Sequence, residues 1–418
     1  MCTNIYIGEL TLDYERAKVF LRQRGQSQLL DYYDKLDEEK RQSLLDEIEK
    51  VNFSVVKNIN KLTKKSKLGK LKPIAAKSLQ DIEKNYKKYE KEGLRLLKEN
   101  KVGAVLLAGG QGTRLGFDKP KGMFDIGETH FRSIFEQLML NVKEVTSRTG
   151  VNFPIFIMTS TVNNDITVAF FKKNNYFGYP EDKIHFYIQD TEPACDFDGR
   201  IFLSEKHRIA QSPNGNGGWY SSLLNGGLKK VLEREGIEWL NVFGVDNVLQ
   251  RICDPVFIGA TSLSRSFCGA KVVKKACAEE RVGVLCEQDG KPSIVEYYEM
   301  PPELAKKCDR KGELVFKYGV TLNYLFNVHV LNAILSWELP YHLAKKAIPH
   351  IEDGEIVEPS EPNGYKFETL IVDMVKFMGS CLAVEVDREK EFAPIKNKKG
   401  ADSVYTARKL LKLNGVKL

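Results

Sequence analysis

The chain of 418 residues has no apolar run near the roughly 20 residues that a membrane helix needs; its longest, Val102 to Ala108, has seven. Helical membrane spans are therefore excluded, and no membrane partner is expected. Eight cysteines (Cys2, Cys195, Cys253, Cys268, Cys277, Cys286, Cys308 and Cys381) contain no C-x-x-C pair, which argues against structural zinc. Met1-Cys2-Thr3-Asn4 opens into mixed polar sequence without an apolar leader, so the thiols are expected to be free in a reducing, cytoplasmic setting. Six histidines lie scattered, with no nucleophile–base constellation around them. No internal repeat appears at solenoid periods.

What the chain does have is core material. Apolar residues make up 42% and aromatics 10%, enough to exclude wholesale disorder, and the length predicts two or three domains. The net charge of +7 is concentrated at the start, where residues 1–100 carry 22 Lys/Arg against 16 Asp/Glu. Positions 57 to 77 hold eight lysines and no acid. That stretch lacks aromatics for base stacking and contains Gly69 and Pro73, so it reads as a solvated linker and predicts no nucleic-acid partner.

The first hundred residues read as helical. Leu29, Leu30, Tyr33 and Leu36 form one stripe; Leu44, Leu45, Ile48 and Val51 form another, with Asp37 as its N-cap. A charged helix is expected from Leu79 to Asn100. From Val102 the pattern becomes α/β. Strands are expected at Val102–Ala108, Pro154–Thr159, Ile184–Gln189 and Leu240–Val245, with an amphipathic helix over Phe131, Ile134, Phe135, Leu138, Met139, Val142 and Val145. Asp289-Gly290 between two β-rich runs predicts a hairpin insertion. The expected architecture is a Rossmann-like core with a mostly parallel sheet, a helical N-terminal domain over 1–100, a catalytic domain over 101–390 and a small C-terminal segment over 391–418.

The strongest chemical signal is Leu107-Ala-Gly-Gly-Gln-Gly-Thr-Arg-Leu-Gly116, followed by Pro120-Lys-Gly122. Closely spaced glycines let backbone N–H groups approach phosphate oxygens, Arg114 can bind phosphate bidentately, and Lys121 adds a point charge. The loop is neither a dinucleotide fingerprint, since Leu115 stands where the third glycine belongs, nor a P-loop, since no Gly-Lys-Ser/Thr closes it.

This loop resembles that of the eukaryotic UDP-N-acetylglucosamine pyrophosphorylases. The likeness continues through Tyr89-Glu-Lys-Glu-Gly-Leu94, Asp196-Phe-Asp-Gly199, Pro213-Asn-Gly-Asn-Gly-Gly218, Val245-Asp-Asn247, Cys268-Gly-Ala-Lys-Val-Val273, Val295-Glu-Tyr297, Pro362-Asn-Gly364 and Phe392-Ala-Pro-Ile-Lys-Asn397. The resemblance implies roles for single residues. Gly109 and Gly110 would contact the nucleotide, and Arg114, Lys121 and Lys396 would handle phosphates. Gln189 and Gly215, with Asn216 beside them, would read uracil. Asp246 would hold Mg2+, which needs only one or two carboxylates besides substrate phosphates. Gly283, Glu296, Tyr297, Asn323 and Lys366 would surround the sugar. Cys195 and His207, near these motifs, read as structural.

The implied reaction joins UTP and N-acetylglucosamine 1-phosphate and releases pyrophosphate. The sugar phosphate is already ionised near pH 7, so positioning and charge neutralisation should dominate and no general base is required. The alternative is a broader UDP-sugar pyrophosphorylase accepting N-acetylgalactosamine, glucose or galactose 1-phosphates. Leu370 and Val372 bear on that choice, because they stand where relatives carry bulkier aromatics beside the acetamido pocket. A monomer or homodimer is expected.

Overall fold

The computed structural model describes residues 12–57, 59–63 and 68–418. Met1–Asn4, and Lys64, Lys65 and Lys67 of the lysine-rich stretch, lie outside the described residues. The chain forms two compact units, each discontinuous in sequence. One comprises the described residues before 68 with 190–216 and 340–370; the other comprises 68–189, 217–339 and 371–418.

The larger unit is built on an 11-stranded sheet. Its strands in chain order are β1 (Leu71–Pro73), β2 (Ala76–Lys77), β3 (Val102–Leu107), β4 (Ile155–Thr159), β5 (Ile184–Ile188), β6 (Trp239–Gly244), β7 (Cys268–Lys274), β8 (Val284–Gln288), β9 (Lys291–Val295), β10 (Tyr318–Asn327) and β11 (Cys381–Glu385). The main path runs β2-β11-β7-β10-β6-β3-β4-β5. It is parallel except at β10, which runs antiparallel to both β6 and β7. β8 and β9 form the expected hairpin, with Asp289 and Gly290 both at positive φ in its turn.

Alternation along the strands sends side chains to two apolar layers. Val102, Ala104 and Leu106 enter one cluster, and Val105 and Leu107 the other. Both faces are therefore covered, which is why β3 reads as an unbroken apolar run. The helix Ile134–Thr149 packs on the first layer, capped at Ser133; Phe131, expected within it, precedes the cap and is 56% exposed.

The sequence-based boundaries at residues 100 and 390 are not those of the contacts. Helix Leu79–Lys98 belongs to the larger unit because it packs against helix Pro255–Leu263 at the distance only glycines allow. A Cβ on Gly93 would overlap the Pro255 carbonyl, and one on Gly259 the Tyr89 carbonyl. Residues 391–418 also belong there, since Ile395, Ala407 and Leu411 are core members.

The smaller unit has its own core, where helices Tyr14–Arg22 and Glu38–Lys50 contribute Leu21, Leu44 and Ile48 alongside Ile201, Leu203 and Phe367. Asp37 caps the second helix as expected, its carboxylate accepting from Lys40 N–H at 2.9 Å. The stripe from Leu29 to Leu36 is not one helix but two 3₁₀ turns, Ser27–Leu30 and Tyr33–Lys35. Two turns of that pitch also bring every third or fourth residue to one side, so the spacing alone did not discriminate.

Candidate active site

In an open parallel sheet, ligands bind beyond the carboxyl ends of the strands. Four candidate segments leave that edge in the larger unit. The Gly-rich loop follows β3, Gln189 follows β5, Asp246 follows β6, and the segment bearing Lys396 docks beside Asp246. Register fixes their level: Leu107 pairs with Gly244, and Thr159 with Ile188.

The loop is closed on itself. Lys121 N–H donates to the Gly110 carbonyl at 3.2 Å, and Gly112 N–H to the Lys119 carbonyl at 3.0 Å. Arg114 sits exposed on the 3₁₀ turn Thr113–Leu115, while Lys121 opens the turn Lys121–Met123 and is half-buried. A Cβ on Gly109 would stand 3.1 Å from the Gln189 Oε1, so the two candidate nucleotide contacts are adjacent. Gly110 faces open space.

Electrostatics ties the charged residues together. Burial holds the Lys121 ammonium below the usual lysine range; Lys396 and Arg114 push it the same way, and Asp246 opposes them. Lys121 thus lies within electrostatic reach of two further cations and one carboxylate. The Asp246 backbone carbonyl accepts from Ile395 N–H at 2.9 Å, and its half-exposed carboxylate is within electrostatic reach of Lys121. Lys396 Nζ lies 3.5 Å from an Asp402 oxygen.

The sugar candidates divide. A Cβ on Gly283 would stand 3.2 Å from the Glu296 Oε1, so these two are neighbours. Tyr297 is 44% exposed and packs edge-on to Tyr298. Asn323 is fully buried, and its amide has a protein partner at each end. Its Oδ1 accepts from Asn241 Nδ2 at 2.8 Å, and its Nδ2 donates to Gln250 Oε1 at 3.2 Å. Asn323 thereby braces β6 against β10.

Three candidates belong to the smaller unit. Gly215 has φ +84, and a Cβ there would overlap the Thr369 carbonyl, so both backbone angle and space demand glycine. The Asn214 carbonyl beside it accepts from both Thr369 N–H and Oγ1, at 2.7 and 3.0 Å. Asn216 follows directly, and Lys366 lies half-buried on the strand Gly364–Glu368. Val372, in the larger unit, packs against the second apolar layer, and Leu370 is half-buried.

One supporting residue escaped the sequence reading. Asn163, fully buried, donates to the Ala108 carbonyl at 3.0 Å and accepts from Ser160 N–H at 2.7 Å, fixing the loop where it leaves β3. Its only sequence signal is an Asn before a helix, which an N-cap would equally explain.

A Gly-rich loop at the carboxyl edge of a mostly parallel sheet, with basic side chains and a carboxylate close by, suits a nucleotide phosphate. The profile described as UTP--glucose-1-phosphate uridylyltransferase matches residues 49–415, and the chain belongs to that family. The UDP-N-acetylglucosamine pyrophosphorylase of Saccharomyces cerevisiae is 35% identical over 424 residues, covering 94% of this chain and 88% of the relative. UDP-N-acetylhexosamine pyrophosphorylase-like protein 1 of Homo sapiens is 39% identical over 337 residues, 78% of this chain, and the match spans 66% of that relative's length. The solved UDP-N-acetylglucosamine pyrophosphorylase of Trypanosoma brucei, in complex with an inhibitor, superposes with a TM-score of 0.81 at 29% identity, covering 97% of this chain and 85% of that one.

Proposed function

We propose that the chain is a uridylyltransferase that joins UTP and N-acetylglucosamine 1-phosphate to give UDP-N-acetylglucosamine and pyrophosphate. The observation that carries this reading is the gathering of Arg114, Lys396 and Asp246 within electrostatic reach of Lys121, on segments at the carboxyl edge of the sheet. A sugar phosphate oxygen attacks the α-phosphorus of UTP in line while pyrophosphate departs. The protein's part is to hold the two phosphates in line and to stabilise the charge that gathers on the departing pyrophosphate. Arg114 grips two oxygens through its guanidinium, and Lys121 and Lys396 supply point charges.

A divalent cation fits the donor set. Among the described residues no group of three or more His, Cys, Asp or Glu side chains could cage a metal. Asp246 offers a carboxylate beside Lys121, while Asp402 pairs with Lys396, an arrangement that suits Mg2+ bound by one or two carboxylates and mostly by substrate oxygens. Bound there, Mg2+ would neutralise phosphate charge.

Gln189, against Gly109, and Gly215 read the uracil edge, with Asn216 adjoining; Gly283, Glu296, Tyr297 and Lys366 serve the sugar. The described cysteines are all free thiols, which suits action in the cytoplasm. The test is pyrophosphate release from UTP with a panel of sugar 1-phosphates. N-acetylglucosamine 1-phosphate should be the preferred acceptor, and equal use of glucose and galactose 1-phosphates would favour the broader enzyme.

A further inference from the structure

The turn bearing Asp246 and the segment bearing Lys396 are far apart in sequence, and one side chain joins them. Asn247 donates from Nδ2 to the Glu391 carbonyl at 2.7 Å and accepts at Oδ1 from Ala393 N–H at 2.9 Å. It is 2% exposed and forms an isolated antiparallel bridge with Pro394. Pro394 has no N–H, so this stretch cannot build a full ladder from its own backbone. The Asn247 amide supplies what the ladder lacks. On either side, Val248 N–H reaches the Ala393 carbonyl at 3.3 Å, and Ile395 N–H the Asp246 carbonyl at 2.9 Å.

The bracket has a fixed anchor. The Glu391 carboxylate is held by Lys271 Nζ at 2.5 Å, and Lys271 also reaches Asp254 at 3.3 Å and the Arg251 carbonyl at 3.1 Å. Partly exposed Arg251 adds a second positive charge 3.9 Å from Asp254, and a charge as buried as that of Lys271 resists leaving its partners. Beyond the bracket, Lys396 N–H donates to the Asp402 carbonyl at 2.6 Å. The backbone on both sides of Lys396 is therefore pinned.

We propose that Asn247 is a positioning residue that acts through Lys396, setting where that ammonium stands relative to Asp246 and Lys121. The proposal rests on the uridylyl-transfer reading. Its test is a double-mutant cycle of Asn247→Ala with Lys396→Ala, measured as pyrophosphate release, with a thermal melt for each protein. Asn247→Ala should lower kcat about 10- to 100-fold, the usual cost of losing an orienting partner, and move the KM for UTP less than about threefold, because Arg114 and Lys121 still bind the triphosphate. In the Lys396→Ala background the same change should cost less than about twofold. Losses that multiply would overturn the proposal. If Asn247→Ala does not fold, Asn247→Ser, too short to reach both partners, replaces it and should give the same pattern.

Amide hydrogen exchange separates the two readings, since it needs no turnover. Exchange at Ala393 and Ile395 should quicken by about tenfold or more in the Asn247 variant. Unchanged protection would overturn the bracket even in an active transferase. A wild type that shows the protection but releases no pyrophosphate would instead overturn the transfer reading, and with it the catalytic part of this proposal.

Discussion

Replacing Lys121 by methionine should cost activity without costing stability. The ammonium is half-buried beside Arg114 and Lys396, and burial together with those two cations disfavours its charged form. Methionine keeps most of the side-chain volume and removes that unfavourable charge, so the melting temperature should stay level or rise by about 1–3 °C. The same charge faces a phosphate in the working enzyme. At an effective dielectric of about 20, a unit charge 4 Å from a phosphate oxygen is worth about 4 kcal/mol. Arg114 and Lys396 remain and take up part of the loss, which leaves about 3 kcal/mol, or roughly two orders of magnitude in kcat/KM for UTP. The assay is pyrophosphate release with N-acetylglucosamine 1-phosphate, paired with a thermal melt. A folded Lys121→Met protein whose kcat/KM lies within about threefold of wild type would refute the reasoning.

The depressed Lys121 also predicts a pH signature. Its cation is lost as pH rises through a folded-state value below that of an ordinary lysine, so kcat/KM for UTP should fall on the alkaline side earlier than a free lysine would allow. The linked stability runs the other way: the penalty is fully present below the depressed value and is relieved as pH rises through it. Lys121→Arg should push the alkaline limb beyond the measurable range, and an identical limb in that variant would assign it to another group. Asn323→Ala should cost about 1–3 kcal/mol of stability by orphaning Gln250 Oε1, while the KM for the sugar phosphate moves less than about threefold. A tenfold rise in that KM at an unchanged melt would return Asn323 to the sugar site. Gly93→Ala should destabilise by about 3 kcal/mol or more, since the Pro255 carbonyl cannot give way; a melt matching wild type would contradict that packing.

The sequence was legible where one local rule decides. The run Val102 to Ala108 has to be a strand buried on both faces, and the glycines after it expose backbone wherever the fold puts them. Asp289-Gly290 turns a hairpin because both residues accept positive φ. Of the candidate site, the Gly-rich loop with Arg114 and Lys121 stood out in the sequence, and the fold brings Asp246 and Lys396 within electrostatic reach of Lys121. The rest depended on distance. Nothing local tells that Gly93 and Gly259 face each other's helices, so helix Leu79–Lys98 looked like part of a separate helical domain. Asn323 looks identical in sequence whether it meets a sugar or Asn241, and only the completed β6–β10 pairing decides.

The central claim is that Asp246 with Arg114, Lys121 and Lys396 at this strand edge carries uridylyl transfer. The most direct measurement is pyrophosphate release from UTP and N-acetylglucosamine 1-phosphate in Mg2+ by wild type and Asp246→Ala, each checked for folding by a thermal melt. The account predicts robust turnover by the wild type and a loss of at least about 100-fold in a variant that melts normally, because phosphate charge is then left unneutralised. Near wild-type turnover by the folded variant would contradict it.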